Sequence, residues 1–231
     1  MPATKVRLRF AKRGPVRLVS HHDLMRCLER TLRRAEVPMA RSQGFNPRPK
    51  LVFPLALGLG IEGRREVLEL ELSEPMEPEE VLRRLVASAP AGFDFLEAES
   101  ATGRSSQVEA VRYELEVPAD RTDSARSAIA AFLADAERPY TRHRPDRTVE
   151  LNLRPFVLQA ELNSLGVLCF RLKMTSNGSA RPEEVIESLG LRDLLERGAI
   201  LVRTEVELAP TAPSAATRPP DATVAESTST P

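Results

Sequence analysis

The feature of this sequence that most constrains its fold is one order of secondary structure that occurs twice. In the first half, apolar residues at strand or helix spacing predict a strand, a helix, two strands, a helix and a strand. Ser20 followed by Asp23 predicts where the first helix starts. The predicted segments are residues 5–14, 20–37, 51–60, 66–74, 78–89 and 92–101.

The second half repeats this order without repeating the residues. The corresponding segments are 112–119, 121–136, 139–162, 167–174, 181–195 and 199–208. The third of these, residues 139–162, is predicted to contain one or two strands around a turn. The order βαββαβ is typical of the ferredoxin-like fold. We therefore predict an α+β chain of two tandem ferredoxin-like units, over residues 1–103 and 104–208.

Residues 209–231 have a composition that supplies no core. They are mostly Pro, Ala, Ser and Thr, and such segments bury too little apolar surface to offset the entropy of ordering. We predict that this segment is a disordered tail outside any site.

Composition also argues against several classes of protein. No run approaches the roughly 20 apolar residues that cross a bilayer, and the charged N-terminus lacks the apolar run of a signal peptide. Cys27 and Cys169 stand apart from each other and from histidine, which predicts buried free thiols in a reducing compartment. We expect a cytoplasmic protein without membrane contact, and we assign it no metal ligand and no catalytic residue.

The formal net charge of zero conceals an uneven distribution. Residues 1–50 contain 13 Lys and Arg against 3 Asp and Glu, whereas residues 51–100 contain 4 against 11. The first block makes a local positive field that attracts phosphate or an acidic protein surface. The alternative is a solvated helix face that pairs with the acidic block after it.

The stretch SQGFNPRPK, residues 42–50, predicts a stiff basic loop. Two prolines fix their own φ, donate no hydrogen bond and push the preceding residues towards extended geometry. The nearby helix start offers backbone N–H groups that suit an anion. If the loop folds over that helix start, one phosphate- or RNA-binding site forms from Lys12, Arg13, Arg17, Ser20, His21, Phe45, Asn46, Arg48 and Lys50.

Some of these residues have two interpretations. Phe45 could stack on an RNA base, or it could pack in the core. His21 and His22 lie in the first helical turn, where the helix dipole favours a neutral imidazole able to accept a proton. Capping and packing at the helix start is the alternative for both histidines.

A second basic segment, RHRPDR at residues 142–147, is predicted to form a turn. It is either a second phosphate-binding hairpin or an ordinary solvated turn. The cations assigned to it are Arg142, Arg144, Arg147 and Arg154.

Several motifs resemble the radical-SAM-linked protein family, a bacterial domain of unknown function. They are Phe10, Lys12 and Gly14; Ser20-His21, Asp23-Leu24 and Arg26; Arg30 and Leu32–Ala35; Gln43–Pro47; and VELNLRPF at 149–156. The family tends to have an acidic residue where this chain has Asn152. The resemblance implies a radical SAM protein as partner, and that partner would carry an iron–sulfur cluster, S-adenosylmethionine and, in some systems, cobalamin. This chain itself is expected to bind no cofactor.

From charge, fold and resemblance together we expect a non-catalytic accessory module that binds RNA, such as tRNA or rRNA, for a radical SAM enzyme. One alternative is a metal-independent RNA endonuclease related to CRISPR RNA-processing enzymes, with His21 or His22 as general base. Another is a subunit that only binds protein through its basic surface.

Overall fold

The structure is a computed structural model that describes residues 3–103, 105–175 and 178–210. The first half contains β1 (Ala3–Lys12), α1 (His21–Arg34), β2 (Leu51–Val52), β3 (Glu62–Met76), α2 (Pro78–Ser88) and β4 (Phe93–Ser100). The second half contains β5 (Val108–Glu116), α3 (Thr122–Ala134), β6 (Pro139–His143), β7 (Thr148–Asn152), β8 (Val157–Leu162), β9 (Val167–Lys173), α4 (Pro182–Ser188), α5 (Arg192–Glu196) and β10 (Val202–Leu208).

Both halves contribute strands to one large, mostly antiparallel sheet. Its order is β4-β1-β3-β10-β5-β9-β8, with β2 paired to β3. The halves join where β3 and β10 run parallel, with Val202 opposite Glu62 and Arg203 opposite Gly63. The hairpin of β6 and β7 forms a separate two-stranded sheet.

Two predicted strand segments differ from the structure. The segment 51–60 keeps only the two residues of β2, because Pro54 cannot donate to a sheet and the glycines after it favour a loop. The segment 139–162 contains three strands, β6, β7 and β8, instead of one or two. The predicted tail from residue 209 lies outside the described residues from 211 onward.

The first hydrophobic core lies between the sheet and helices α1 and α2. Alternate residues of β1 point into it, as do Leu24, Leu28 and Leu32, which repeat every fourth residue along α1. The Ser20 hydroxyl accepts a hydrogen bond from the Asp23 N–H at 3.2 Å, so the predicted helix start is confirmed.

The second core is built on β5, β8 and β9 with α3 and α4. Leu57, Ile61 and Val67 from the first half also pack in it. The free thiols of Cys27 and Cys169 are half-buried, not buried as predicted. Among the described residues, no helix is long and apolar enough to span a membrane.

A buried ion pair lies at the seam between the halves. Arg203 on β10 donates from Nε to Glu66 Oε1 at 2.8 Å and also from its Nη2 to Glu66 Oε2. Its remaining donors reach the carbonyl oxygens of Ala56 and Leu55 at 3.1 and 3.3 Å. A Cβ at Gly63 would lie 2.5 Å from Glu66 Cγ, so glycine is needed for this close approach.

Lys12 is part of the same buried region and does not lie on the surface. Its side chain is buried, and Nζ donates to the carbonyl oxygens of Val19 at 3.1 Å and Arg17 at 3.4 Å. Burial lowers the pKa of the Lys12 ammonium, and the charge of Glu66 opposes that shift. The prediction that Lys12 grips phosphate is therefore corrected: its donors are satisfied inside the protein.

The face of the sheet away from the helices is covered by a network of ion pairs. Arg7 pairs with Glu99 and Arg9 with Glu205. Glu69 is buried there, and burial alone would raise the pKa of its carboxyl group. Hydrogen bonds from Ser106 and the charge of Lys5 outweigh burial and lower the pKa of Glu69 to about 2.

We predict that Glu66→Ala destabilises the fold by about 3–5 kcal/mol, because it leaves the Arg203 guanidinium buried without a counter-charge. Urea unfolding measures this change. The matched control is Glu97→Ala, which breaks the exposed pair with Arg65 and should cost no more than about 1 kcal/mol. Equal losses in the two variants would contradict a special role for the buried pair.

A second prediction concerns acid stability. Because the pKa of Glu69 is lower in the folded state than its ordinary value of 4.5, the ionised carboxylate stabilises the fold above about pH 4.5. That contribution is lost as the pH falls towards about 2. We expect Glu69→Gln to be less stable than wild type at pH 6 and to lose less stability between pH 5 and pH 2.5, measured by urea titrations. Parallel pH profiles for the two proteins would contradict this.

Candidate functional site

A groove runs between α1 and the loop that follows it. One wall is the exposed face of α1, and the other is formed by residues 39–50, which we call the 39–50 hairpin. The groove has a volume of about 830 Å³. Its lining residues are His21, His22, Met25, Arg26, Glu29, Arg30, Leu32, Arg33, Val37, Met39, Arg41, Pro47, Arg48 and Pro49.

The groove is strongly basic. Arg26, Arg30 and Arg33 are spaced four and three residues apart, which places them in one row along α1. Arg41 and Arg48 face them from the hairpin. Among the lining residues, all of which the structure describes, Glu29 is the single acid.

These arginines are largely without counter-charges. Arg26 makes one long contact with Asp23, 3.8 Å from nitrogen to oxygen, and both side chains are exposed. Within residues 3–103, 105–175 and 178–210, Arg30, Arg33 and Arg48 form no ion pair. The positive field of the groove is therefore available to a ligand.

The 39–50 hairpin is held in place at both ends. The Ala40 N–H donates to Glu71 O at 2.8 Å, and the Glu71 N–H donates to Lys50 O at 3.0 Å, so both arms are attached to β3. Nearer the tip, the Ser42 N–H donates to Arg48 O at 2.9 Å, and the Arg48 N–H donates to Ser42 Oγ at 3.0 Å. These specific bonds close the loop, and they act in addition to the fixed φ angles of its prolines.

Phe45 lies at the tip of this hairpin and is 100% exposed. The interpretation that Phe45 packs in the core is therefore wrong. Asn46, beside it, is also exposed. Gly44 precedes Phe45 with φ of 124°, a backbone angle that side chains disfavour, so glycine permits the turn at this point.

The two histidines lie where α1 begins, at one end of the groove. Both are exposed and line it. The His21 ring meets the Phe53 ring edge-on, with 5.4 Å between centroids. Ser20 is engaged in capping the helix, and its hydroxyl also donates to Asp23 Oδ2 at 2.8 Å.

Four other predicted site cations lie outside the groove. Lys12 is buried, as described above. Arg13 approaches Asp94 at 3.6 Å, Arg17 donates to Gly14 O at 3.1 Å, and Lys50 pairs with Glu71 at 2.7 Å. Of the nine predicted residues, the groove contains His21 and Arg48, with Phe45 and Asn46 at the hairpin tip.

Sequence reasoning missed Arg26, Arg30, Arg33 and Arg41 as site residues. The signal was present for three of them, because positions i, i+4 and i+7 share one helix face. Their row lies on the side of α1 opposite the apolar stripe of Leu24, Leu28 and Leu32 that packs into the core. The position of Arg41 had no such signal, since it depends on how the hairpin folds back.

The four arginines of the second basic segment do not form one site. Arg142, on β6, is mostly buried and binds Glu184 through Nε at 2.5 Å, and Arg154 donates to Val157 O at 3.0 Å. Arg144 and Arg147 remain exposed in the turn between β6 and β7, joined by a backbone bond of 2.9 Å. The structure therefore leaves two of the four predicted cations free to meet a ligand.

Asn152 has a structural role that does not need a carboxylate. Its Oδ1 accepts hydrogen bonds from the backbone N–H of Arg138 at 2.7 Å and of Arg154 at 3.1 Å. An aspartate oxygen would accept the same two bonds. In the part of the chain that the structure describes, no group of three or more His, Cys, Asp or Glu side chains is placed to hold a metal ion.

Comparisons with curated proteins and with solved structures assign no function to this chain. No curated protein matches the chain. Among solved structures, the chain is similar to an unknown protein from Galdieria sulphuraria, with 13% identity over 90% of this chain and 99% of that one. The TM-score is 0.27, so this similarity supports no argument about fold or function.

A family model gives a firmer assignment. The model described as "Uncharacterized protein conserved in bacteria (DUF2344)" matches residues 5–182. The match includes both walls of the groove and the strands that hold them. Because it spans well over half of the sequence, the chain belongs to this bacterial family.

Proposed function

We propose that this protein is a non-catalytic, cytoplasmic accessory module that binds RNA through the groove between α1 and the 39–50 hairpin and serves a radical SAM enzyme. The observation that carries the RNA part is the row of Arg26, Arg30 and Arg33 opposite Arg41 and Arg48. Five guanidinium groups with so few counter-charges are suited to a ligand that repeats its negative charge along its length.

Guanidinium groups fit phosphate well. Each is planar, permanently charged and able to donate two parallel hydrogen bonds to phosphate oxygens. Binding a polyanion also releases its condensed counterions, which favours association at low salt. A groove with arginines on both walls, spread along about two turns of α1 and the facing hairpin, suits a nucleic-acid backbone better than a single small anion.

The opposite face of the sheet is a poorer candidate. Some RNA-binding sheets present aromatic side chains on which bases stack. Here the alternate residues on that face are charged and already paired, as in Arg112 with Glu207 at 2.6 Å and Arg64 with Glu114 at 2.7 Å. These arginines would have to leave a carboxylate before they could bind phosphate.

We also propose that each half is a ferredoxin-like unit. The strand orders β4-β1-β3-β2 and β10-β5-β9-β8 support this, since both place the first and third strands in the middle with their neighbours antiparallel. In the second half, the hairpin of β6 and β7 would then be an insertion before the second strand of the unit.

Partnership with a radical SAM protein rests on the sequence resemblance. In this proposal the iron–sulfur cluster, S-adenosylmethionine and any cobalamin belong to the partner, and this chain presents the RNA. Size-exclusion chromatography of this chain with such a protein tests the pairing. Independent elution of the two proteins at micromolar concentration, with and without RNA, would contradict it.

The endonuclease alternative is favoured by one observation. His21 and His22 line the groove close to Arg26, which follows them on α1, so a base and a phosphate-binding cation lie at the same end. RNA cleavage that is lost in His21→Ala or His22→Ala would replace the accessory role with this one. Intact RNA after prolonged incubation supports the accessory role.

The main prediction is the effect of Arg26→Ala/Arg30→Ala/Arg33→Ala on binding to a single-stranded RNA across a salt series. We expect affinity to fall roughly 10- to 100-fold at moderate salt, since each exposed ionic contact is worth up to about 1 kcal/mol. The slope of log K against log salt should become shallower by about 2, because three phosphate contacts are lost. Fluorescence anisotropy with labelled RNA measures both quantities.

The matched control is Arg83→Ala/Arg192→Ala/Arg197→Ala, which removes three exposed arginines that pair with acids outside the groove. It changes net charge equally and should leave the salt slope within about 0.5 of wild type. Equal weakening by both triple variants would show that binding depends on overall charge and not on the groove. Absence of RNA binding at low salt would assign the basic surface to a protein partner.

A further inference from the structure

We infer that the groove selects unpaired RNA, because the ring of Phe45 stacks on one exposed base while the groove arginines hold the neighbouring phosphates. This inference rests on the proposed RNA-binding function and adds the structural class of RNA to it. It makes Phe45 the residue that determines specificity for single strands, loops or bulges.

Phe45 is fully exposed to solvent. A phenylalanine side chain that is 100% exposed contributes no packing to the fold, and it leaves a large apolar surface in water at a cost in solubility. Leu165, at 85% exposed, is the nearest comparison among the large apolar residues of the described chain. Phe45 differs in its position, since it lies at the tip of the hairpin that forms one wall of the basic groove.

The hairpin that carries Phe45 is rigidly held. Both arms are bound to β3, Ser42 and Arg48 are bonded to each other, and Pro47 fixes the chain two residues after Phe45. Arg41 adds a bond from its Nη1 to Pro47 O at 3.3 Å. A ring presented on so constrained a loop loses little conformational entropy when it binds, which raises affinity.

The Phe45 ring and the groove cation Arg48 lie on the same hairpin. Arg48 is three residues after Phe45, and both Arg48 and Pro47 line the groove, so the ring is carried on the same hairpin that forms one wall of the groove. An aromatic ring can stack on any base whose face is free. In duplex RNA the base faces are covered by their neighbours, so the duplex would use only the phosphate contacts.

The experiment compares Phe45→Ala with wild type on a single-stranded RNA and on the corresponding duplex. We expect Phe45→Ala to bind the single strand roughly 5- to 100-fold more weakly, the range for loss of one base–aromatic stack. Duplex affinity should change less than about twofold, because its phosphate contacts remain. Leu165→Ala is the matched control, since it removes another exposed apolar side chain outside the groove and should change neither affinity.

A spectroscopic readout tests stacking directly. The chain contains no Trp, so Phe45→Trp introduces a single indole at the hairpin tip. Its fluorescence should be quenched by the single-stranded RNA and much less by the duplex, with single-strand affinity at or above that of wild type. Because residue 45 has no packing contacts to lose, both variants should unfold at the same urea midpoint as wild type.

The outcomes separate this inference from the function on which it rests. Equal affinity for single strand and duplex, with no effect of Phe45→Ala, overturns the inference. If the three α1 arginines still matter in that case, the proposed function stands. Absence of binding to either RNA removes both. Loss of single-strand affinity in Phe45→Ala, together with quenching of the indole fluorescence in Phe45→Trp, supports the inference.

Discussion

The ion pair between Arg203 and Glu66 is the interaction on which the rest of the structure depends. Removing two charges from water is costly, and it is tolerated only where hydrogen bonds satisfy the remaining donors and acceptors. Here β3 supplies the carboxylate, β10 supplies the guanidinium, and the loop after β2 supplies two carbonyl oxygens. The pair therefore aligns the two halves of the sheet and holds the segment that connects β2 to β3.

The same buried region positions the candidate site. Lys12 binds the carbonyl oxygen of Val19, the residue immediately before the Ser20 cap, and so fixes the point at which α1 begins. On the other side, β3 holds both arms of the 39–50 hairpin through the backbone of Glu71. Both walls of the groove are thus attached to the paired strands β1 and β3, and the distance between them is set by the sheet.

What could be predicted from the sequence depends on whether the determining contacts are local. Neighbouring residues determine the alternation in β1, the Ser20 cap and an ordered loop over residues 42–50, and the structure agrees with these predictions. The burial of Lys12 could not be predicted, because it follows from strand pairing, which places Lys12 between Gly63 of β3 and Phe93 of β4. For the same reason the pairing of Lys50 with Glu71, and of Arg142 with Glu184, removed two expected phosphate ligands.

The groove arginines illustrate how charge is divided in this protein. On the sheet face, positive and negative residues alternate between neighbouring strands and neutralise one another, as Arg9 does with Glu205. On α1, by contrast, Arg26, Arg30 and Arg33 are like charges at helical neighbour positions, which destabilises a helix by a few tenths of a kcal/mol per pair. The fold gains nothing from this row, because the opposite stripe of α1 makes the core contacts. A ligand that carries several negative charges would relieve the repulsion as it binds, so the row stabilises the complex while it slightly destabilises the free protein.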